Sequence, residues 1–252
     1  RVWDLNTGEN TLTFTEHTDW VNSVCAIDGN RIASASDDRT VRVWDLNSGA
    51  NIHTFTGHMD TVKTVCKIDT DRIASASNDS TVRVWDLNSG ANTHTFTEHT
   101  QRVTSVCAID TNRIASASFD GTVRVWNLNS GANTHTFTGH TDGVLSVCAI
   151  DGNRIASASA DRTVRVWDLN TRENTHTFTG NGTAMVCNID GKRIASGGSD
   201  GMVRVWDLNS GANTHTFTGH TRVVLSVCAI DGNRIASSSY DRTVRVWYIG
   251  PG

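Results

Sequence analysis

The chain has 252 residues, of which 37% are hydrophobic and 19% are charged, and its formal net charge at pH 7 is −4. It contains no apolar run long enough to cross a membrane and no basic stretch, so we expect neither a membrane nor nucleic acid as a partner. The first residues lack the pattern of a signal peptide, and we expect a cytoplasmic protein.

The first predicted strands, 1–5 and 11–15, belong to a sequence that returns along the whole chain. An R-V-W triplet places tryptophan at Trp3, Trp44, Trp85, Trp126, Trp167, Trp206 and Trp247, with spacings of 41, 41, 41, 41, 39 and 41 residues. A fixed period near 40 residues is typical of a propeller, a helical solenoid or an array.

Each period contains four short runs rich in threonine, valine, isoleucine and phenylalanine. In the fourth copy they cover 134–138, 144–150, 154–159 and 163–169, with turn-type segments between them. No stretch keeps a helical period of 3.6, so each repeat predicts one antiparallel sheet of four strands. Sheets stacked around an axis would cover each other's faces, which favours an all-β fold, a closed β-propeller.

The dipeptide "GH", the element "SxxxD" and the terminal "WD" resemble the WD-repeat family of β-propellers, and the match covers the whole chain. The resemblance implies that "THTFT" is the outermost strand of the preceding blade. It also implies a non-catalytic scaffold that binds a protein or peptide, as the sensor or scaffold part of a larger signalling protein. An engineered or recently amplified repeat protein without a native ligand is the alternative.

The resemblance further implies a hydrogen-bonded tetrad of His140, Ser157, Asp161 and Trp167. Indole N–H, hydroxyl, neutral imidazole and carboxylate can satisfy each other in that order. Ser159 is the alternative serine, but Ser157 lies nearer Trp167 across the predicted hairpin. The other sets are His17, Ser34, Asp38, Trp44; His58, Ser75, Asp79, Trp85; His99, Ser116, Asp120, Trp126; and His220, Ser237, Asp241, Trp247.

The fifth copy departs from this pattern over 179–187, where it is two residues shorter and lacks the histidine. Ser196, Asp200 and Trp206 are still present. We expect this repeat to be the least stable, or its shortened loop to make room for a ligand. Simple sequence drift is the third explanation.

Serine, histidine and aspartate together also suggest a hydrolase. A nucleophile needs one activated, exposed serine, whereas these sets are equivalent and each is tied to a tryptophan. We therefore expect no enzyme, no catalytic residue, no cofactor and no metal. The six cysteines, each in a "VC" dipeptide, are predicted to be buried thiols. The second histidine series, on the outer strand, is predicted to be exposed: His53, His94, His135, His176 and His215.

An aspartate ends the innermost strand of every repeat: Asp28, Asp69, Asp110, Asp151, Asp190 and Asp231. Two interpretations are open. The six carboxylates could together hold a cation such as Ca²⁺, or each could cap its own turn and pair with the arginine three residues on.

The copies differ mainly after "GH" and just before the tetrad aspartate. Both places belong to connections at one end of the blades, the top face, where partners of this family dock. The variable residues there include aromatic and arginine side chains, which are typical binding anchors. We predict a partner-binding surface on the top face that contains Trp20, Arg102, Phe119, Arg222 and Tyr240.

Six innermost strands predict six blades, in one monomeric domain over 1–252. The total of 25 predicted strands is one more than six times four. The strand over 11–15 could complete the last blade and close the ring. Otherwise the chain has seven positions with the seventh incomplete, as in a domain cut from a longer array.

Overall fold

The computed structural model describes residues 1–4, 6–180 and 182–250, and every regular element within these ranges is a β-strand. Threonine, valine, isoleucine and phenylalanine suit a pleated, half-buried backbone, so this outcome matches the sequence pattern. The chain divides into two compact units, Arg1–Val103 and Thr104–Gly252. The single domain over 1–252 stays a prediction.

The first unit contains a short hairpin and two complete sheets. The hairpin is formed by β1 (Val2–Trp3) and β2 (Asn10–Leu12). Sheet 1 consists of β3 (Val21–Ala26), β4 (Arg31–Ser36), β5 (Val41–Asp45) and β6 (Asn51–Phe55). Sheet 2 consists of β7 (Val62–Lys67), β8 (Arg72–Ser77), β9 (Val82–Asp86) and β10 (Asn92–Phe96).

Four further sheets follow, and apart from Val103, the last residue of the first unit, they lie in the second unit. Sheet 3 consists of β11 (Val103–Ala108), β12 (Arg113–Ser118), β13 (Thr122–Asn127) and β14 (Ala132–Thr138). Sheet 4 consists of β15 (Val144–Ala149), β16 (Arg154–Ser159), β17 (Thr163–Asp168) and β18 (Asn174–Thr179). Sheet 5 consists of β19 (Thr183–Asn188), β20 (Arg193–Gly198), β21 (Val203–Asp207) and β22 (Asn213–Phe217). Sheet 6 consists of β23 (Val224–Asp231), β24 (Arg234–Ser239) and β25 (Val244–Tyr248).

The strands of each sheet follow one another in sequence order and pair antiparallel. In sheet 4, Ile155 pairs with Trp167 and Ser157 with Arg165. Since side chains alternate between faces and directly paired residues share a face, Ser157 and Trp167 project from the same side of the sheet. The register therefore brings the serine hydroxyl towards the indole of the neighbouring strand.

The core lies between consecutive sheets. In the first unit, small and β-branched residues of sheet 1 pack against larger ones of sheet 2. We call the face of a sheet that packs on the following sheet its forward face, and the opposite face its rear face. The forward face of sheet 1 contributes Ala33, Ala35, Val41, Val43 and Phe55 to this core. The rear face of sheet 2 contributes Val62, Val65, Ile73, Trp85 and Leu87. The same forward and rear faces meet within the second unit, between sheets 3 and 4, 4 and 5, and 5 and 6. Each sheet thus needs a neighbour on both sides to bury its apolar residues.

The sequence allowed two arrangements of the first strands: completion of the last blade by 11–15, or an incomplete seventh sheet. Within the described residues, β2 pairs with β1 rather than completing sheet 6, which has three strands. The turn between β1 and β2 is closed locally, because the Asp4 carboxylate accepts hydrogen bonds from the backbone N–H groups of Asn6 and Thr7. The chain therefore carries six repeats and a partial seventh sheet, which is the second of the two predicted arrangements, and closure of the ring stays a prediction. The predicted strand 1–5 includes Leu5, which lies outside the described residues.

Candidate functional site

The four tetrad side chains of sheet 4 form one hydrogen-bonded chain. The indole Nε1 of Trp167 donates to Ser157 Oγ at 2.8 Å, and the same oxygen lies 2.7 Å from His140 Nε2. His140 Nδ1 lies 2.8 Å from a carboxylate oxygen of Asp161. Because a carboxylate only accepts, the proton is assigned to Nδ1, and Nε2 then accepts from the serine. The arrangement satisfies every member with a neutral imidazole.

Three further sets have the same geometry. Their imidazole distances to carboxylate and hydroxyl are 2.7 or 2.8 Å, and their tryptophan-to-serine distances are 2.8 Å. They are His17, Ser34, Asp38, Trp44; His58, Ser75, Asp79, Trp85; and His220, Ser237, Asp241, Trp247. In the remaining set, Trp126 donates to Ser116 at 2.8 Å, and His99 is buried.

A threonine belongs to each intact set and was missed by the sequence reasoning. Thr163 Oγ1 donates to Asp161 at 2.7 Å, and its backbone N–H donates to the same oxygen at 2.8 Å. The equivalent residues are Thr40, Thr81, Thr122 and Thr243. The signal was available, since threonine follows the tetrad aspartate at a fixed offset of two residues in these five copies.

The tetrad sets the ionisation of its members. Burial alone would raise the pKa of Asp38, but hydrogen bonds from Thr40, His17 and two backbone N–H groups outweigh it and lower the pKa to about 2. The pKa of Asp161 is lowered to about 2 against the same opposing effect of burial. Burial lowers the pKa of His140, although Asp161 opposes the shift. An ionised aspartate beside a neutral histidine is therefore the stable state near neutral pH.

The alternative serine has a different role. Ser159 is buried, and its hydroxyl lies 3.0 Å from the carbonyl oxygens of Asp142 and Gly143. It also accepts a hydrogen bond from the backbone N–H of Asp161 at 3.1 Å. Ser159 thus fastens the connection that enters the sheet, while Ser157 contacts Trp167.

The fifth set is rearranged. Trp206 still donates to Ser196 at 2.9 Å, but Asp200 pairs with Arg204 at 2.8 Å. Met202 stands where the intact sets have threonine. The carboxylate that has lost its histidine and threonine partners is thus neutralised by an arginine on the next strand. Asn181 of the shortened loop lies outside the described residues.

The aspartates at the ends of the first strands pair with arginines of their own turns. In all six repeats, a guanidinium nitrogen lies 2.7 or 2.8 Å from the carboxylate three residues earlier. Arg154 also donates to the carbonyl oxygen of Gly191, in the turn of the next sheet, at 2.9 Å. Among the described residues, no three His, Cys, Asp or Glu side chains are grouped as metal ligands. The contacts therefore match the turn-closing interpretation.

The cysteines and the outer histidines depart in part from expectation. All six cysteines are free within the described residues, and five are half-buried, but Cys228 of sheet 6 is exposed. Burial raises the pKa of the Cys107 and Cys187 thiols to about 12. The outer histidines are half-buried rather than exposed, since each ring stacks on the phenylalanine two residues later, as His53 does on Phe55 at 5.4 Å.

Trp20 and Tyr240 are exposed at the same end of their respective sheets. The backbone N–H of Asp37 donates to the carbonyl of Trp20 at 2.8 Å, and that of Tyr240 donates to Val223 at 3.0 Å. These bonds join the connection into the first strand to the turn between the second and third strands, where the tetrad aspartate lies. We call this the tetrad end of a sheet. Trp20 is 79% exposed and Tyr240 is 58% exposed.

The polar surroundings of Trp20 are well defined. Asn22 Nδ2 donates to the Asp37 carboxylate at 2.6 Å and to the carbonyl of Val62 at 3.0 Å. Lys63 Nζ lies 3.7 Å from the same carboxylate. The backbone of Trp20, whose carbonyl accepts from Asp37, thus lies beside a small cluster of fixed charges in the first unit.

The remaining predicted anchors lie in two kinds of surroundings. Arg102 and Arg222 are exposed, whereas Phe119 is half-buried. A Cβ atom at Gly143 would lie 2.9 Å from the Phe119 ring, so only glycine accommodates the ring there. Phe119 lines an open cavity of about 250 Å³ together with His140 and Asp142. Phe119 therefore packs against the connection between sheets 3 and 4 as well as facing solvent.

Comparison with known proteins agrees with these observations. No curated protein matches the chain in sequence. The described residues contain no helix able to cross a membrane. A solved structure of U3-55K is similar, with a TM-score of 0.87 at 24% identity over 94% of this chain and 79% of that chain. At this identity the likeness concerns the fold alone, and it confirms the predicted fold class of four-stranded antiparallel sheets of the propeller type.

The family "WD domain, G-beta repeat" matches six segments: 8–45, 49–86, 90–127, 131–168, 172–207 and 211–248. Each segment begins before the outermost strand of one sheet and ends in the third strand of the next, as for β14 to β17. The matched segments cover most of the sequence, so the chain belongs to the WD40 family of WD-repeat proteins.

Proposed function

We propose that this chain is a platform for a protein or peptide, bound at the tetrad ends of its sheets. WD40 proteins typically serve as interaction scaffolds, which supports the general role. The specific surface rests on one observation, the exposure of Trp20. The sheet tryptophans Trp44, Trp85, Trp126, Trp167 and Trp206 are all buried, whereas Trp20 keeps its indole in water, where a partner can reach it.

The other predicted anchors suggest the chemistry of the partner. Arg102 and Arg222 are exposed guanidinium groups, which match carboxylates in a bidentate geometry. Trp20 and Tyr240 offer flat apolar surfaces that lose little conformational entropy on binding. A peptide that combines an acidic residue with an aromatic or aliphatic one matches the kinds of anchor that each unit carries, Trp20 and Arg102 in the first and Arg222 and Tyr240 in the second.

The tetrad serines support a non-catalytic role. Ser157 is buried, and its oxygen is engaged by both Trp167 and His140. The same engagement is repeated in the other intact sets. A hydroxyl that already joins two partners in the core is poorly placed to attack a substrate.

A peptide library displayed on phage and selected against the immobilised protein tests the proposal. Selected peptides should bind Trp20→Ala at least about tenfold more weakly, because truncating an aromatic anchor of this kind costs about 2 kcal/mol or more. Ile52→Ala, which truncates an exposed residue on an outer strand, is the matched control and should bind normally. Equal binding of the selected peptides by Trp20→Ala and Ile52→Ala would refute the proposed binding surface. Selection of oligonucleotides instead of peptides from a parallel random pool would refute the partner class.

A further inference from the structure

The position just before the tetrad histidine holds two kinds of residue. Glu16 occupies it in the first copy, whereas Gly57 and Gly139 occupy it in the second and fourth. The tetrad residues themselves are the same in these three copies. The copies can therefore be compared directly for what a side chain at this position does.

In the first copy, the glutamate pairs with the arginine of the third strand. Arg42 Nη1 lies 2.7 Å from a carboxylate oxygen of Glu16, to which Asn51 Nδ2 also donates at 2.9 Å. The side chain of Arg42 is 15% exposed and that of Glu16 is 53% exposed. The carboxylate thus reaches a half-buried guanidinium group from the solvent side.

In the second and fourth copies, the equivalent arginine has no acidic partner. Arg83 and Arg165 form no hydrogen bond or ion pair with any described residue, and Nε of each is buried. Nε is buried and unpaired in Arg42 as well, so the difference lies in the terminal nitrogens. Since arginine is always charged, each of these copies carries a cation that no described carboxylate pairs with.

Two contacts hold each unpaired guanidinium group in place. Arg165 lies over Trp167, 5.9 Å from the ring centroid, and a Cβ atom at Gly139 would be 3.1 Å from its Nη1. Arg83 makes the same two contacts in the second copy. A side chain that is already stacked on an aromatic ring loses less freedom when a ligand binds to it.

The polar neighbours of the unpaired arginines are engaged with each other. Asn174 Nδ2 donates to the carbonyl oxygens of Val166 and His176 at 3.0 and 2.9 Å, and the second copy has the same pattern. Thr177 Oγ1 donates to Asn174 Oδ1 at 2.7 Å. In the first copy, the equivalent Asn51 turns its amide towards the glutamate instead. This asparagine can therefore serve a carboxylate where one is present.

We propose that Arg83 and Arg165 each form a binding site for the carboxylate of an acidic side chain, supplied by a bound protein or peptide. Glu16 shows this chemistry inside the same molecule, as a carboxylate on a flexible arm held by guanidinium and amide donors. Glycine in place of the glutamate leaves the guanidinium to an outside carboxylate, whose geometry and charge it matches. The source of the carboxylate rests on the proposed function, but the sites contain none of the anchors named there.

The α-amide of N-acetylglutamate is the probe, and the α-amide of N-acetylglutamine, which has a similar shape without the charge, is its control. Both are titrated up to about 100 mM at constant pH and ionic strength, because one ion pair gives little affinity and salt screens it. The indole N–H signals of Trp85 and Trp167 in NMR spectra should shift with the glutamate compound alone. Those of Trp44 and Trp206 should not move, since the arginines of their repeats already have carboxylate partners.

Exchanging the residue before the tetrad histidine should transfer the response between copies. Glu16→Gly should give the signal of Trp44 a shift with the probe, because the arginine beside it loses its built-in partner. Gly139→Glu should abolish the shift of Trp167, because the new carboxylate occupies the site. Gly139 is suited to this change because its φ is not positive, whereas Gly57 has a φ of 142°.

Removal of the guanidinium group gives an independent measurement. Arg165→Gln should abolish the shift of Trp167 with the probe and leave that of Trp85 unchanged. Each variant thus contains its own control in another repeat. Circular dichroism and the remaining indole signals check that the variants are folded.

Three results would overturn the proposal. An absence of any indole shift with the glutamate compound would show that water satisfies the unpaired guanidinium groups. Equal shifts with the two compounds, or a shift of Trp206, would show that a carboxylate is not what these sites recognise. Shifts with inorganic phosphate but not with the glutamate compound would assign the sites to another anion.

The outcome separates these sites from the proposed function. Peptides that bind through Trp20, together with indole signals that ignore the probe, would remove the carboxylate sites and leave the proposed surface. Indole shifts with the probe, but no peptide selected from the library, would leave the sites and remove a peptide as the source of the carboxylate.

Discussion

Sheets 4 and 6 have nearly the same sequence but different surroundings. Residues 144–157 and 224–237 are identical, and both sheets continue with "DRTVRVW". In sheet 4 both faces are covered, whereas in sheet 6 the forward face is exposed and its cysteine with it. The comparison shows that burial in this protein is decided by the next sheet rather than by the residues of the sheet itself.

The largest expected effect comes from charging the same position in the two sheets. Val166→Asp places an unpaired carboxylate in the core between sheets 4 and 5 and should cost about 4 kcal/mol or more of unfolding free energy. Val246→Asp, on the open face, should cost less than about 1 kcal/mol in dilute protein. Urea unfolding of the two variants measures both values, and equal losses would contradict the difference between the sheets.

The tetrads should show the next largest difference. Ser157→Ala removes the oxygen that joins Trp167 to His140, leaving two buried groups without a partner, and should cost about 2–3 kcal/mol. Ser196→Ala acts in the fifth set, which has no histidine, and should cost about 1 kcal/mol. Thermal melts under the same conditions compare them. A larger loss of unfolding free energy for Ser196→Ala than for Ser157→Ala would show that the incomplete set contributes more to stability than an intact one.

Acid should weaken the intact sets. The pKa values of Asp38 and Asp161 are lowered to about 2, so the unfolded chain, with carboxyl pKa values near 4, takes up protons first. The stabilisation is complete above about pH 4 and is lost as pH falls towards 2. The lowered pKa of His140 acts in the same direction, with stability declining as pH falls below about 6.5.

Unfolding free energies measured between about pH 7 and about pH 3 test this. Asp161→Asn should be less stable at neutral pH and should lose less on acidification than the original protein. An equally steep decline in both proteins would mean that Asp161 is not among the groups responsible.

The smallest expected effect is a gain in stability. Arg172 has a φ of 64°, where the equivalent turns of other repeats have Gly49, Gly90, Gly131 and Gly211 at φ between 69° and 73°. Arg172→Gly should stabilise the protein by about 0.5–1 kcal/mol, because glycine adopts this conformation without steric cost. The reverse change, Gly211→Arg, is the matched control and should destabilise by a similar amount. A loss on Arg172→Gly would show that the arginine side chain makes a stabilising contact.

Much of the fold follows from the sequence because each repeat carries its own local pattern. The 41-residue period, the turn residues and the alternation predict the strands, and the offset between Ser157 and Trp167 predicts the pairing of their side chains. Thr163 could have been found at its constant distance from Asp161. These features depend on contacts within a repeat or between neighbouring strands.

The features that the sequence did not predict depend on which sheet follows. The pattern gives Cys148 and Cys228 the same surroundings, and only the structure shows that one is covered and the other is not. The pairing of β2 with β1 is a competition between a local hairpin and a distant partner, which a repeated sequence cannot decide. The half-burial of Phe119 likewise depends on Gly143 of the following sheet.

Thiol labelling of dilute native protein, with each site identified by mass spectrometry, tests the dependence of burial on the following sheet most directly. Cys228 should react first and far faster than Cys25, Cys107, Cys148 and Cys187, whose thiol pKa values are raised by burial. Similar rates for all of these cysteines, or a Cys228 among the slowest, would contradict it.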